Sequence, residues 1–95
     1  MNKMKENKKE VVLKFKTTFI KWEKIEYFDD DLPINYFVFE LVEKSSNKLL
    51  KKFTRKSEFF NKKGKYYSLS KNTIAHQISS KIIKNEKYHL YDITY

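Results

Sequence analysis

The stretch YFVFELVE, Tyr36 to Glu43, places Phe37, Phe39 and Leu41 on one face at the two-residue period of a strand. It is the clearest strand signal in the chain, and the rest must be arranged around a sheet. VVLKFKTTFI, Val11 to Ile20, is rich in β-branched and aromatic residues, and Val11, Leu13, Phe15, Thr17 and Phe19 alternate with mostly polar neighbours. A helical stripe of Val12, Phe15, Phe19 and Trp22 competes with that strand. Residues 22–28 either continue the strand or start another, and Trp22 is expected in the core. DDDLP, Asp29 to Pro33, reads as a turn.

Ser45-Ser46-Asn47 breaks the pattern, and residues 48–60 then admit two readings. As a helix, they group Leu49, Phe53 and Phe60 on one side, with lysines opposite and Gly64 at the end. As a hairpin, Lys48 to Arg55 pairs back on Tyr36 to Glu43, leaving room for a short helix over Lys56 to Lys62. Ser70 to Lys84 reads as a helix capped by Ser70, with Ile74, Ala75, Ile78 and Ile82 as its core stripe and Asn85 as its stop. Tyr88 to Tyr95 alternates and reads as a last strand. The expected fold is a small single α+β domain, an antiparallel sheet with one or two helices in the order β-β-(α or β)-α-β, with winged-helix character as one form of it. Residues 1–9 read as a flexible basic tail and 10–95 as the domain.

Ninety-five residues fit one domain with a modest core. The absence of cysteine excludes disulfides, thiolate metal sites and Cys nucleophiles. No apolar run reaches the roughly 18 residues that span a bilayer, and the expected location is the cytoplasm. The abundance of Lys, Asn, Ile, Phe and Tyr beside one Gly, one Ala, one Pro and one Arg points to an AT-rich genome, such as that of a low-GC bacterium, a phage or a plasmid.

The net charge of +9 is segregated. Residues 10–43 carry −4, and residues 44–71 carry +9 with a single Glu. Such a block creates a local field that a uniformly basic chain would lack. Within it, KLLKKFTRKSEFFNKKGKYY interleaves eight cations with five aromatics. Lys51, Lys52, Arg55, Lys56, Lys62, Lys63 and Lys65 are the candidate phosphate contacts, since cations gain affinity for a phosphate backbone by releasing its condensed counterions. Phe53, Phe59 and Phe60 are expected to be buried. Tyr66 and Tyr67, beside Gly64, are candidates for stacking on unpaired bases of single-stranded DNA or RNA.

The helix stripe leaves Asn72, Thr73, His76, Gln77, Ser79 and Ser80 pointing away from the core. That face is polar but nearly uncharged. Asn and Gln can bond both edge atoms of adenine, and Ser and Thr can bond several bases. Asn72, Thr73, His76, Gln77 and Ser80 are the candidate base contacts. SLSKNTIAHQISSKI, Ser68 to Ile82, resembles the turn and recognition helix of helix-turn-helix proteins through Ser70-x-x-Thr73-Ile74-x-x-x-Ile78. Lys87 to Tyr95 would correspond to the strand of a winged variant. The resemblance implies DNA binding.

Nothing in the chain announces catalysis. Asp29, Asp30 and Asp31 are the one acidic cluster that suggests a metal, and a turn explains them more simply. His76 and His89 lack ligand spacing, and one glycine makes no phosphate loop. No catalytic residue, metal or cofactor is assigned. The first expectation is a non-enzymatic protein of a mobile element, plasmid or phage, that binds nucleic acid, double-stranded DNA ahead of single strands or RNA, as a regulator or accessory factor. A homodimer fits such a role. The rival expectation is a small anti-defence, anti-CRISPR-like inhibitor that uses its basic surface on a host protein or nucleoprotein complex.

Overall fold

A computed structural model describes residues 8–26 and 28–95. The proposed tail, 1–9, falls mostly outside them, and Lys9 already belongs to the first strand. The elements are β1 (Lys9–Lys24), β2 (Asp31–Glu43), β3 (Leu49–Lys56), β4 (Glu58–Phe60), β5 (Tyr66–Ser68), α1 (Lys71–Lys84) and β6 (Tyr88–Thr94). Four strands form one sheet in the order β3-β2-β1-β6, and β4 pairs with β5 alone. The expected α+β domain is present. Its sheet is mixed: β1, β2 and β3 are antiparallel, whereas β6 runs parallel to β1. Parallel neighbours need a crossover of a dozen or more residues, and α1 supplies it.

The turn at 45–47 decides the ambiguous segment. Asn47 adopts φ 63°, a left-handed conformation that Asn tolerates better than most residues. Its N–H donates to the Glu43 carbonyl at 2.7 Å, and the Glu43 N–H donates to the Lys48 carbonyl at 2.8 Å. The chain therefore reverses, and Leu49–Lys56 pairs with Tyr36–Val42 as a hairpin. The short helix envisaged for Lys56 to Lys62 is absent, and β4 takes its place. The helix-turn-helix resemblance also requires a helix ahead of α1. Among the described residues α1 is the only helix, because the hairpins β2–β3 and β4–β5 use the preceding chain.

Ser70 caps α1, its Oγ accepting from the Thr73 N–H at 3.1 Å. Ile74, Ala75, Ile78 and Ile82 are buried against Val11, Leu13, Phe39, Leu41 and Phe53 on one face of the sheet. Each fully buried aliphatic side chain stabilises by about 1.5–3 kcal/mol. Ser79, expected outside, is also buried, and its hydroxyl returns to the His76 carbonyl at 2.9 Å, so burial leaves no unpaired group.

Two expectations for β1 fail, each for its own reason. A bulge between Phe15 and Thr17 inserts an extra residue, Lys16. Val11, Leu13 and Phe15 face α1, but Thr17 and Phe19 pair with Val38 and Tyr36 and so lie on the far face. Trp22 is not core but 65% exposed. Sixteen residues of β1 extend about 53 Å, whereas the 14 residues of α1 cover about 21 Å. The distal half of the β1–β2 hairpin therefore projects as a ribbon, and the molecule measures 59 × 24 × 17 Å.

Candidate nucleic-acid interface

The strand conformation of residues 49–56 distributes the basic block over two faces. Phe53 points to α1 and is buried, so Lys51 and Arg55, two residues to either side, share its face. Lys52 and Lys56 lie on the opposite face. Lys56 is engaged there, its Nζ 3.0 Å from the Glu23 carboxylate. Lys62, Lys63 and Lys65 sit apart from both groups, on the loop between β4 and β5. Asn61 orders that loop: its Oδ1 accepts the N–H groups of Lys63 and Lys65, each at 2.9 Å, and Gly64 supplies the required φ of 82°.

The α1 side carries a feature that the sequence reading missed. A groove of about 130 Å³ runs between β3 and α1, lined by Leu41, Lys51, Phe53, Arg55, Lys81 and Ile82 among others. Lys51 Nζ and Arg55 Cζ lie 5.0 and 5.3 Å from the centre of the Phe53 ring. Lys81 closes the groove from the helix. No carboxylate lines it, and none of the three cations is in an ion pair among the described residues. Three cations converge on an uncompensated groove with an apolar floor. That arrangement suits a singly or doubly charged oxyanion such as a backbone phosphate.

The helix places Asn72, Thr73, His76, Gln77 and Ser80 at the solvent, all exposed. Two of the five are partly occupied. Thr73 Oγ1 lies 3.0 Å from Ser70 Oγ, and Ser80 Oγ donates to the His76 carbonyl at 3.0 Å. Asn72, His76 and Gln77 have no side-chain hydrogen bond among the described residues. Gln77 stands one turn before Lys81, on the side of α1 that borders the groove. The structure thus brings Lys51, Arg55 and Lys81 to one groove, with Gln77 one turn before Lys81 on α1, and separates Lys52, Lys56 and the β4–β5 loop from them.

The chain matches no protein-family model, no curated protein and no solved structure.

The remaining candidates have structural places. Phe59 and Phe60 are half-buried, and Phe60 meets Phe28 edge-on at 5.0 Å. Tyr67 stacks on Phe59 at 5.4 Å, so one of its faces is already covered. Tyr66 donates to Glu58 at 2.6 Å. That bond raises the Tyr66 hydroxyl above its ordinary range and lowers the Glu58 carboxyl, which also accepts the Asn35 N–H. Asp29 and Asp30 form the bend at the ribbon tip, and Asp31 opens β2 opposite Lys24. His89 lies 3.7 Å from Glu10.

No helix among the described residues is long and apolar enough to cross a membrane.

Proposed function

We propose that this protein is a non-enzymatic binder of double-stranded DNA that engages the duplex with its helix side. The observation that carries the reading is the groove of Lys51, Arg55 and Lys81, three cations without a carboxylate, beside an exposed neutral helix face. In this reading the groove holds a backbone phosphate, and α1 presents Asn72, His76 and Gln77 to base edges. Phosphate contacts fix position, and hydrogen bonds to bases select sequence. The loop lysines Lys62, Lys63 and Lys65 add phosphate contacts farther along the backbone.

The test is binding to duplex DNA, single-stranded DNA and RNA of equal length over a salt series. The expected result is tightest binding to the duplex, with affinity falling by roughly 0.9 log unit per log unit of salt for each phosphate neutralised. Equal affinity for all three, or none, would overturn the duplex assignment.

A further inference from the structure

The distal half of β1 has one strand edge that nothing covers. On one side β1 pairs with β2 from Val11 to Lys24. On the other, β6 reaches only Lys14, which is paired with Thr94. Among the described residues, nothing pairs with the Lys16–Lys24 edge. The corresponding stretch of β2 is tied to the chain beyond β3: the Ser57 N–H donates to the Asn35 carbonyl at 3.0 Å, and Glu58 accepts the Asn35 N–H. The open edge is also the apolar one. Phe19, Ile20 and Trp22 are 41%, 58% and 65% exposed. A long strand edge with unpaired backbone groups and exposed apolar side chains is a template for another strand.

We infer that this edge pairs with the same edge of a second copy, β1 against β1 in antiparallel fashion across a two-fold axis, joining two four-stranded sheets through their ribbons. The open stretch is bounded by the end of β6 on one side and the bend at Asp29 and Asp30 on the other, and it is centred on Ile20. Antiparallel pairing of identical strands about Ile20 sets Ile20 against its mate, Thr18 against Trp22, Phe19 against Lys21 and Thr17 against Glu23. A two-fold contact is closed and stops at the dimer.

Charge complementarity between the acidic ribbon of one copy and the basic body of another favours a second copy as the occupant. Residues 16–31 hold Lys16, Lys21 and Lys24 against Glu23, Glu26, Asp29, Asp30 and Asp31, a net −2 in a chain of +9. The rest of the chain therefore carries +11, and the ribbon of one copy and the body of another are oppositely charged. Antiparallel pairing also brings each acidic tip to the end of β6, beside Phe15 of the other copy. There Lys71, 4.0 Å above the Phe15 ring, offers the opposite charge.

The inference is independent of nucleic-acid binding and is read by mass. Nucleic-acid-free protein is examined by light scattering or sedimentation equilibrium over a concentration series. The expected result is twice the chain mass for the native protein and a monomer for Ile20→Lys/Trp22→Glu, with unchanged circular dichroism because both side chains are exposed. The chain has no cysteine, so a single introduced thiol reports cleanly. Ile20→Cys beside the axis forms a disulfide-linked dimer faster than Ile83→Cys on α1, which is equally exposed at 64%. A native monomer at every concentration, a dimer that survives Ile20→Lys/Trp22→Glu, or equal cross-linking at both cysteines would overturn the inference.

Discussion

Lys51 and Arg55 hold their charged ends over the same aromatic ring, that of Phe53, at 5.0 and 5.3 Å from its centre. Each contact is worth about 0.5–1 kcal/mol at an exposed site. The ring is fixed by the core, so the two cations are oriented before any ligand arrives. Arg55→Lys keeps the charge but loses the flat guanidinium that lies over the ring and forks to an oxyanion. The expected outcome in duplex binding is a salt slope unchanged by Arg55→Lys and reduced by up to about 0.9 in Arg55→Ala. Identical slopes for both variants would separate Arg55 from the phosphates.

The exposed helix residues should affect selectivity without affecting stability. Asn72→Ala, His76→Ala and Gln77→Ala remove no buried contact and leave the melting temperature unchanged. Where such a side chain pairs with a base edge, its loss costs about 1–3 kcal/mol against the preferred base and relaxes selection at that position. The check is selection of a random duplex library by the native protein, followed by affinity measurements on the enriched sites.

Ser70 is a stability residue. Its Oγ accepts the Thr73 N–H at the start of α1, and the helix has no acidic residue in its first turn to share that work. Ser70→Ala should cost about 1 kcal/mol, while Ser70→Asp should retain the cap. Urea unfolding of the three proteins measures it.

The Tyr36 hydroxyl donates to the Glu23 carboxylate, and Lys56 approaches the same carboxylate. The Tyr36 bond, helped by Lys56, holds Glu23 below its ordinary value of 4.5. The same bond and burial push Tyr36 up from 10 to about 12. The folded state binds the Glu23 proton more weakly than the unfolded chain does. That stabilisation is complete above pH 4.5 and is lost as pH falls through the lowered folded value. Tyr36 is the reverse case: its contribution is complete below pH 10 and is lost as pH rises toward 12. Tyrosinate absorbance should show a late-titrating group near pH 12 that Tyr36→Phe removes.

The elements with an unbroken period were legible in the sequence. Phe37, Phe39 and Leu41 mark β2, and Ile74, Ala75, Ile78 and Ile82 mark α1 between Ser70 and Asn85. The choice for residues 48–56 was not legible, because it turns on the left-handed conformation of Asn47, which composition permits but does not require. That choice then decides the site. On a helix Lys51, Lys52, Arg55 and Lys56 share a side; on a strand Lys51 and Arg55 part from Lys52 and Lys56. Lys81 escaped notice because its place depends on that strand, although its position one turn after Gln77 was available. Phe19 was misplaced by a bulge with no sequence signature, and Trp22 by its place on the ribbon beyond the reach of α1. The mismatch between a long strand and a short helix was the available warning.

The most direct test compares two variants of equal net charge. One loses the groove cations, Lys51→Ala/Arg55→Ala/Lys81→Ala. The other loses three lysines of the far face, Lys14→Ala/Lys21→Ala/Lys52→Ala. Duplex affinity is measured for both at the same salt concentration. The account predicts a large loss of affinity and a salt slope lower by about 0.9, one phosphate, for the groove variant, with a minor change for the far-face variant. Equal losses would show that only the total charge matters and would contradict an interface on the helix side.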